Sequence, residues 1–122
     1  MFRILVVDAE PDLRYIMRTI FERAGHAVLD ADHPVAALDV VHQSPPDLVV
    51  IDMMMPMGDG GELIRRLRAD PVTAPIPIVV ATTNIPSACG ADVVLTKQWN
   101  KRQLLEVTNA LLVQKAGARG LA

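Results

Sequence analysis

Four side chains in this sequence stand where apolar runs end. Asp8 closes Ile4-Leu5-Val6-Val7, Asp52 closes Leu48-Val49-Val50-Ile51, Thr82 closes Ile78-Val79-Val80-Ala81, and Lys97 follows Val93-Val94-Leu95. Unbroken runs of this kind, rich in β-branched residues and bounded by Pro and Gly, read as buried parallel strands. Open α/β sheets place their ligands beyond the carboxyl ends of the strands. Two acids, a hydroxyl and an ammonium delivered to one such edge describe a site for a divalent metal and a phosphoryl group.

The elements that must position these groups alternate between strand-like and helix-like stretches. Glu10-Pro11-Asp12 suits a helix start. Leu13, Ile16, Met17, Ile20, Phe21 and Ala24 then fall at helical spacing, with Arg14, Arg18, Glu22 and Arg23 off that face. Gly25 is a left-handed stop. His26 to Ala31 reads as a second strand and Pro34 to Gln43 as a shorter helix. Asp59-Gly60-Gly61-Glu62 has capping-box spacing and opens a helix through Asp70. Asn100 to Gln103 resembles another cap, opening a last helix with Leu104, Val107, Leu111 and Leu112 on its apolar side. Parallel strands joined by helices give an α/β doubly wound sheet covered on both faces. Residues 82–91 are the oddity, because a segment this short and Pro/Gly-punctuated suits a loop or a single turn better than a full helix.

A chain of 122 residues suits one domain, placed over residues 1–116, with residues 117–122 as a flexible tail. With 51% hydrophobic and only 3% aromatic residues, the core must be aliphatic. A formal charge of −2 argues against a dedicated nucleic-acid surface. The single Cys89 permits no internal disulfide, and no Cys/His spacing resembles a zinc site. The first apolar run breaks at Asp8, too soon for a signal segment or a membrane span, so a cytoplasmic domain is expected. His26, His33 and His42 read as surface or turn residues. Met53, Met54, Met55 and Met57 read as packing, Trp99 as a packing anchor, and Lys101 and Arg102 as a solvated helix start.

Together these motifs resemble the receiver domain of two-component response regulators, over about residues 3 to 115. Asp52-Met53-Met54-Met55-Pro56-Met57-Gly58-Asp59-Gly60 matches the family's Asp-x-x-Met-Pro-x-x-Asp-Gly signature. Val6-Val7-Asp8, Pro77 through Thr82, Gly90-Ala91-Asp92 and Leu95-Thr96-Lys97 match in order. The resemblance implies a flavodoxin-like (βα)5 fold with strand order 2-1-3-4-5. It implies Asp52 as the phosphoacceptor, fed by a histidine kinase or phosphotransfer protein. It implies Mg2+ held by Asp8, Asp52 and the carbonyl of Met54, with Thr82 and Lys97 contacting phosphoryl oxygens. Chemistry agrees with those roles: a carboxylate attacking a phosphoryl group meets like charge, which a divalent cation neutralises. Such a protein is a switch acting on a downstream protein target, with neither nucleic acid nor membrane as a direct partner, and not an enzyme with turnover beyond slow autodephosphorylation.

The sequence departs from the family pattern in four places. Ala9 stands where a second acid usually binds metal, which should weaken Mg2+ binding. Glu10 is a further candidate ligand, though it reads first as a helix-start acid. Gln98 replaces the proline after the lysine; a cis bond there would cost about 3 kcal/mol, so a trans bond and a shifted Lys97 are expected. The helix between the fourth and fifth strands is shortened or replaced by a loop, and Val94 replaces a switch aromatic. The output face built by the family's helix 4, strand 5 and helix 5 is therefore altered. A bare apolar patch near Val80, Val94 and Leu95 would offer a partner or homodimer surface. Met54, Thr83 and Asn84 flank the site as rate-modulating positions, and an apolar Met54 cannot position a hydrolytic water. The alternative reading is a divergent pseudo-receiver that is never phosphorylated and serves as a constitutive interaction or dimerisation module. An aspartate-nucleophile phosphatase is disfavoured by Met54, where a second acid would stand. A flavin carrier is disfavoured by the acids of Asp8-Ala9-Glu10.

Overall fold

Continuous apolar runs bury on both faces, and here they form the centre of one parallel sheet. The computed structural model describes residues 2–52, 60–81, 90–95 and 99–121, the last of these by backbone alone from residue 116. In chain order the elements are β1 (Arg3–Val7), α1 (Pro11–Arg23), β2 (Ala27–Ala31), α2 (Pro34–Gln43), β3 (Leu48–Asp52), α3 (Gly60–Ala69), β4 (Ile78–Ala81), β5 (Val93–Leu95) and α4 (Lys101–Leu121). The strands order as β2-β1-β3-β4-β5, all parallel. This is the flavodoxin-like order that the resemblance implies.

Alternation along each strand divides the core into two layers. Ile4, Val6, Leu48, Val50 and Val79 pack with Met17 and Phe21 of α1 and with Leu104 and Leu112 of α4. Leu5, Val7, Val49, Ile51, Ile78 and Val80 pack on the other face with Ala37 and Val41 of α2 and with Leu63, Ile64 and Leu67 of α3. Each fully buried Val, Leu or Ile contributes about 1.5–3 kcal/mol of transfer free energy, which makes the central strand ends a rigid platform.

The helix ends follow local chemistry. Gly25 takes φ 93°, and the amides of Gly25 and His26 donate to the carbonyls of Glu22 (3.0 Å) and Phe21 (3.1 Å). That is a Schellman stop, and it draws His26 out of the second strand, which begins at Ala27 instead. At α4, the Gln103 amide donates to Asn100 Oδ1 (2.9 Å) and the Asn100 amide donates to Gln103 Oε1 (3.0 Å), the reciprocal cap expected. α3 ends at Ala69, one residue short of the expected Asp70. α4 runs to Leu121, past the boundary drawn at residue 116. The expected shortening of the helix between β4 and β5 falls on residues 82–89, outside the described residues, as does the Asp59 cap. The bare patch expected around Val80 is corrected: Val80 is fully buried against α3, and Val94 and Leu95 are half-buried.

Arg68 ties the connection after α3 to the start of β5. Its guanidinium donates to the carbonyls of Gly90 (3.0 Å), Ala74 (2.6 Å) and Ile76 (2.9 Å), and to Asp92 Oδ2 (2.8 Å). Asp92 Oδ2 in turn accepts from the Ile78 amide at 2.7 Å. Replacing Arg68 by Ala strands two part-buried carbonyls, of Ala74 and Ile76, so Arg68→Ala is expected to lower folding stability by about 2–3 kcal/mol. Urea denaturation checks this; an unchanged midpoint would mean the contacts contribute nothing.

Candidate functional site

The register of the sheet brings the two acids together. Val7 of β1 pairs with Ile51 of β3, so Asp8 and Asp52 are the next residues along adjacent parallel strands, whose axes lie about 4.8 Å apart. Both continue the parity of Val6 and Val50, and so belong to the layer covered by α1 and α4. Asp52 also pairs with Ala81 of β4, and Ala81 with Leu95 of β5. The strand ends that precede Thr82 and Lys97 are thereby aligned with the acids. Thr82 and Lys97 themselves lie outside the described residues, as do Met54, Thr83, Asn84 and Gln98.

Asp8 is 0% exposed and Asp52 is 4% exposed. Neighbouring buried carboxylates repel, and a nearby positive charge is what stabilises their ionised forms together. Hard oxygen donors of this kind suit Mg2+, which keeps several waters and takes few protein ligands. The residues present therefore fit a divalent cation, with Asp8 and Asp52 as its carboxylates. Ala9 is half-buried against the Leu5 and Val7 layer. No group of three or more His, Cys, Asp or Glu able to hold a metal occurs among the described residues.

Asp8 is held at several atoms. Its amide donates to the Ala31 carbonyl at 3.0 Å, its Oδ1 accepts from the Glu10 amide at 2.8 Å, and its carbonyl accepts from Arg14 Nη1 at 2.8 Å. The Glu10 contact is an Asx turn that starts α1, with Pro11 in the first helical turn. The Glu10 side chain is exposed and makes no capping hydrogen bond, so its visible part in the site is its amide. Helical spacing places Arg14 off the apolar face of α1 and carries no sign of its contact with Asp8. At the end of β2, His33 Nδ1 stands 2.6 Å from Asp32 Oδ1, and this hydrogen bond holds the exposed Asp32 carboxyl below its usual range.

A cavity of about 710 Å3 lies elsewhere, at the amino edge of the sheet between Pro45, Pro46, Val72, Pro75 and Leu111. It is separate from the paired acids. A phosphoryl group bound at strand tips needs converging charge rather than a deep apolar cleft.

Comparison with known proteins agrees with this geometry. The response regulator receiver domain profile matches residues 4–109. Protein PilH of Pseudomonas aeruginosa is 34% identical over 119 residues, covering 92% of this chain and 98% of that protein. The phosphate regulon transcriptional regulatory protein PhoB of the same organism is 34% identical over 116 residues, covering 89% of this chain and 51% of that protein. The chain thus spans about half the length of PhoB and of several other curated relatives, such as MprA of Mycobacterium. Among solved structures, the signal receiver domain of a histidine kinase from Syntrophus aciditrophicus superposes with a TM-score of 0.88 at 26% identity, covering 93% of this chain and 92% of that one. Chemotaxis response regulator CheY4 of Vibrio cholerae superposes with a TM-score of 0.84 at 25% identity, covering 91% and 98% respectively.

Proposed function

The chain belongs to the response regulator receiver domain family, and from that premise we propose that it is a phosphorelay switch whose Asp52 accepts a phosphoryl group from a histidine kinase or phosphotransfer protein. The observation that carries this is the burial of Asp8 and Asp52 side by side at the carboxyl edge of the sheet. Asp52 would attack the phosphoryl phosphorus as the donor's P–N bond breaks and its histidine imidazole leaves; Asp8, Asp52 and the Met54 carbonyl would hold a Mg2+ ion, which would supply the positive charge that offsets the approaching anions. Thr82 and Lys97 would hold the transferred oxygens. The acyl phosphate adds about −1.5 to −2 charges at one strand end, and the response passes to a protein target by contact rather than by metabolite turnover. No helix among the described residues is long and apolar enough to cross a membrane. A kinase-fed switch of this kind works in the cytoplasm, where its phosphoryl donors are made.

The test is incubation with acetyl phosphate across a Mg2+ series, read by intact mass. Mg2+-dependent addition of one phosphoryl group supports the reading. The second reading, a pseudo-receiver acting as a constitutive interaction or dimerisation module, is favoured by one observation, the Ala9 methyl beside Asp8. Absence of any adduct at millimolar Mg2+ would select it.

Loss of the phosphoryl group is expected to be slow, with a half-life of minutes or longer, because Met54 offers no polar group to orient an attacking water. Mass measurements after removal of acetyl phosphate check this; a half-life of seconds would count against the role given to Met54 together with Thr83 and Asn84.

A further inference from the structure

The contact between Arg14 and the main chain of Asp8 is the feature of the site that neither spacing nor the phosphoacceptor role accounts for. We propose that Arg14 is a positioning residue for the cation site, setting the orientation of the Asp8 carboxylate through its backbone. This rests on the reading of the two acids as a cation site given above.

The geometry has three parts. First, Asp8 ends its strand, so its carbonyl lies beyond the last paired residues of β1 and β3. Arg14 Nη1 takes that carbonyl at 2.8 Å and fixes the plane of the Asp8–Ala9 peptide. With the amide held by Ala31 and Oδ1 held by Glu10, rotation about the Asp8 backbone and side chain is restricted from both sides. Arg14 supplies a side-chain clamp, whereas the other two contacts come from the main chain.

Second, the charge on Arg14 is matched elsewhere. Its Nε lies 3.9 Å from Asp30 Oδ2, and the same oxygen lies 3.1 Å from Arg18 Nη1. Arg18 Nε reaches Glu22 Oε1 at 3.4 Å. A guanidinium so close to a cation site would oppose metal binding if its charge were uncompensated. Asp30, the penultimate residue of edge strand β2, counters that charge.

Third, Ala9 removes the neighbouring carboxylate that would otherwise share the hold on the cation. The burden on Asp8 grows accordingly. An outer residue that orients a ligand commonly changes metal affinity by about 10–100-fold when lost.

The experiment measures Mg2+ affinity by calorimetry in wild-type, Arg14→Met and Arg14→Lys proteins, alongside the Mg2+ dependence of phosphorylation by acetyl phosphate. Arg14→Met is expected to weaken Mg2+ binding by about tenfold and to raise the half-saturating Mg2+ for phosphorylation by the same factor. The rate at saturating Mg2+ should stay near wild type. Arg14→Lys, which can still reach the carbonyl, should recover part of the affinity. A residue that merely supported the fold would lower the melting midpoint and leave Mg2+ affinity in the folded protein unchanged. Wild-type Mg2+ affinity in Arg14→Met overturns the proposal, as does a fall in the saturated rate with no change in half-saturation. If Arg14→Met does not fold, Arg14→Gln, whose side chain is two atoms too short to make the contact, takes its place, and wild-type affinity in it overturns the proposal. A wild-type protein that binds no Mg2+ overturns it too. Failure of the phosphorelay reading looks different: Mg2+ binds with the expected Arg14 dependence, and no phosphoryl adduct forms.

Discussion

Asp52→Asn is expected to abolish phosphoryl acceptance, leaving no adduct detectable by mass under conditions that label the wild-type protein fully. The amide has nearly the shape of the carboxylate, so β3 keeps its pairing with β1 and β4. What would disappear is the proposed nucleophile and one of the two buried carboxyl groups. A neutral amide oxygen neither attacks phosphorus usefully nor neutralises a divalent cation, so two contributions vanish together. Mg2+ stabilises the folded protein in proportion to the logarithm of its occupancy. The rise in Tm produced by millimolar Mg2+ should therefore shrink in Asp52→Asn, while the metal-free melt stays within a few degrees of wild type. Full labelling of the variant would place the acceptor elsewhere and remove the central assignment. Loss of labelling together with loss of the cooperative melt would mean a folding defect, which circular dichroism distinguishes.

That variant tests a residue legible from sequence alone, and the reason is physical. A strand buried on both faces must be apolar at every position, so the first charged residue after such a run marks the strand end. β1 and β3 obey this cleanly, with Ile4 to Val7 and Leu48 to Ile51 all fully buried. Asp8 and Asp52 were therefore placed by the elements before them, and the parallel register did the rest. Edges and connections are less legible. β2 is an edge strand of mixed burial, and its first residue was misassigned because His26 completes the helix stop. The α4 backbone continues through Gly117 and Gly120, since a glycine weakens a helix by only about 1 kcal/mol.

Arg14 and Arg68 show a different limit. Helical periodicity reports which residues avoid the core, not what their side chains reach. Side chains on a helix lean toward its amino end, and Arg14, one turn into α1, can thus return to the carbonyl of Asp8. Arg68, near the end of α3, likewise gathers acceptors from two connections. Long cationic side chains that satisfy backbone carbonyls carry little pattern in sequence. They become visible only when the strand ends they serve are in place.

Ala9 is the departure whose proposed effect on the cation site can be tested by reversal. Ala9→Asp adds a hard anionic oxygen to the residue that follows Asp8, at the carboxyl edge of the sheet. Ligand charge sets much of a divalent cation's affinity, and the added carboxylate is expected to tighten Mg2+ binding by about tenfold or more. At Mg2+ concentrations below saturation, phosphorylation by acetyl phosphate should speed up by the same factor. The metal-free protein should respond in the opposite direction. A third carboxylate beside two buried ones adds like-charge repulsion, and the half-buried Ala9 methyl loses its packing against Leu5 and Val7; together these are expected to cost about 1–2 kcal/mol. The signature is therefore a crossing: a lower Tm than wild type without Mg2+, and a larger upward shift when Mg2+ is added. Calorimetry gives the affinity and thermal melts give the crossing. Unchanged Mg2+ affinity in a folded Ala9→Asp protein would show that the loop after β1 does not face the cation. The pairing of Asp8 with Asp52 would then need an explanation other than metal-assisted phosphoryl transfer.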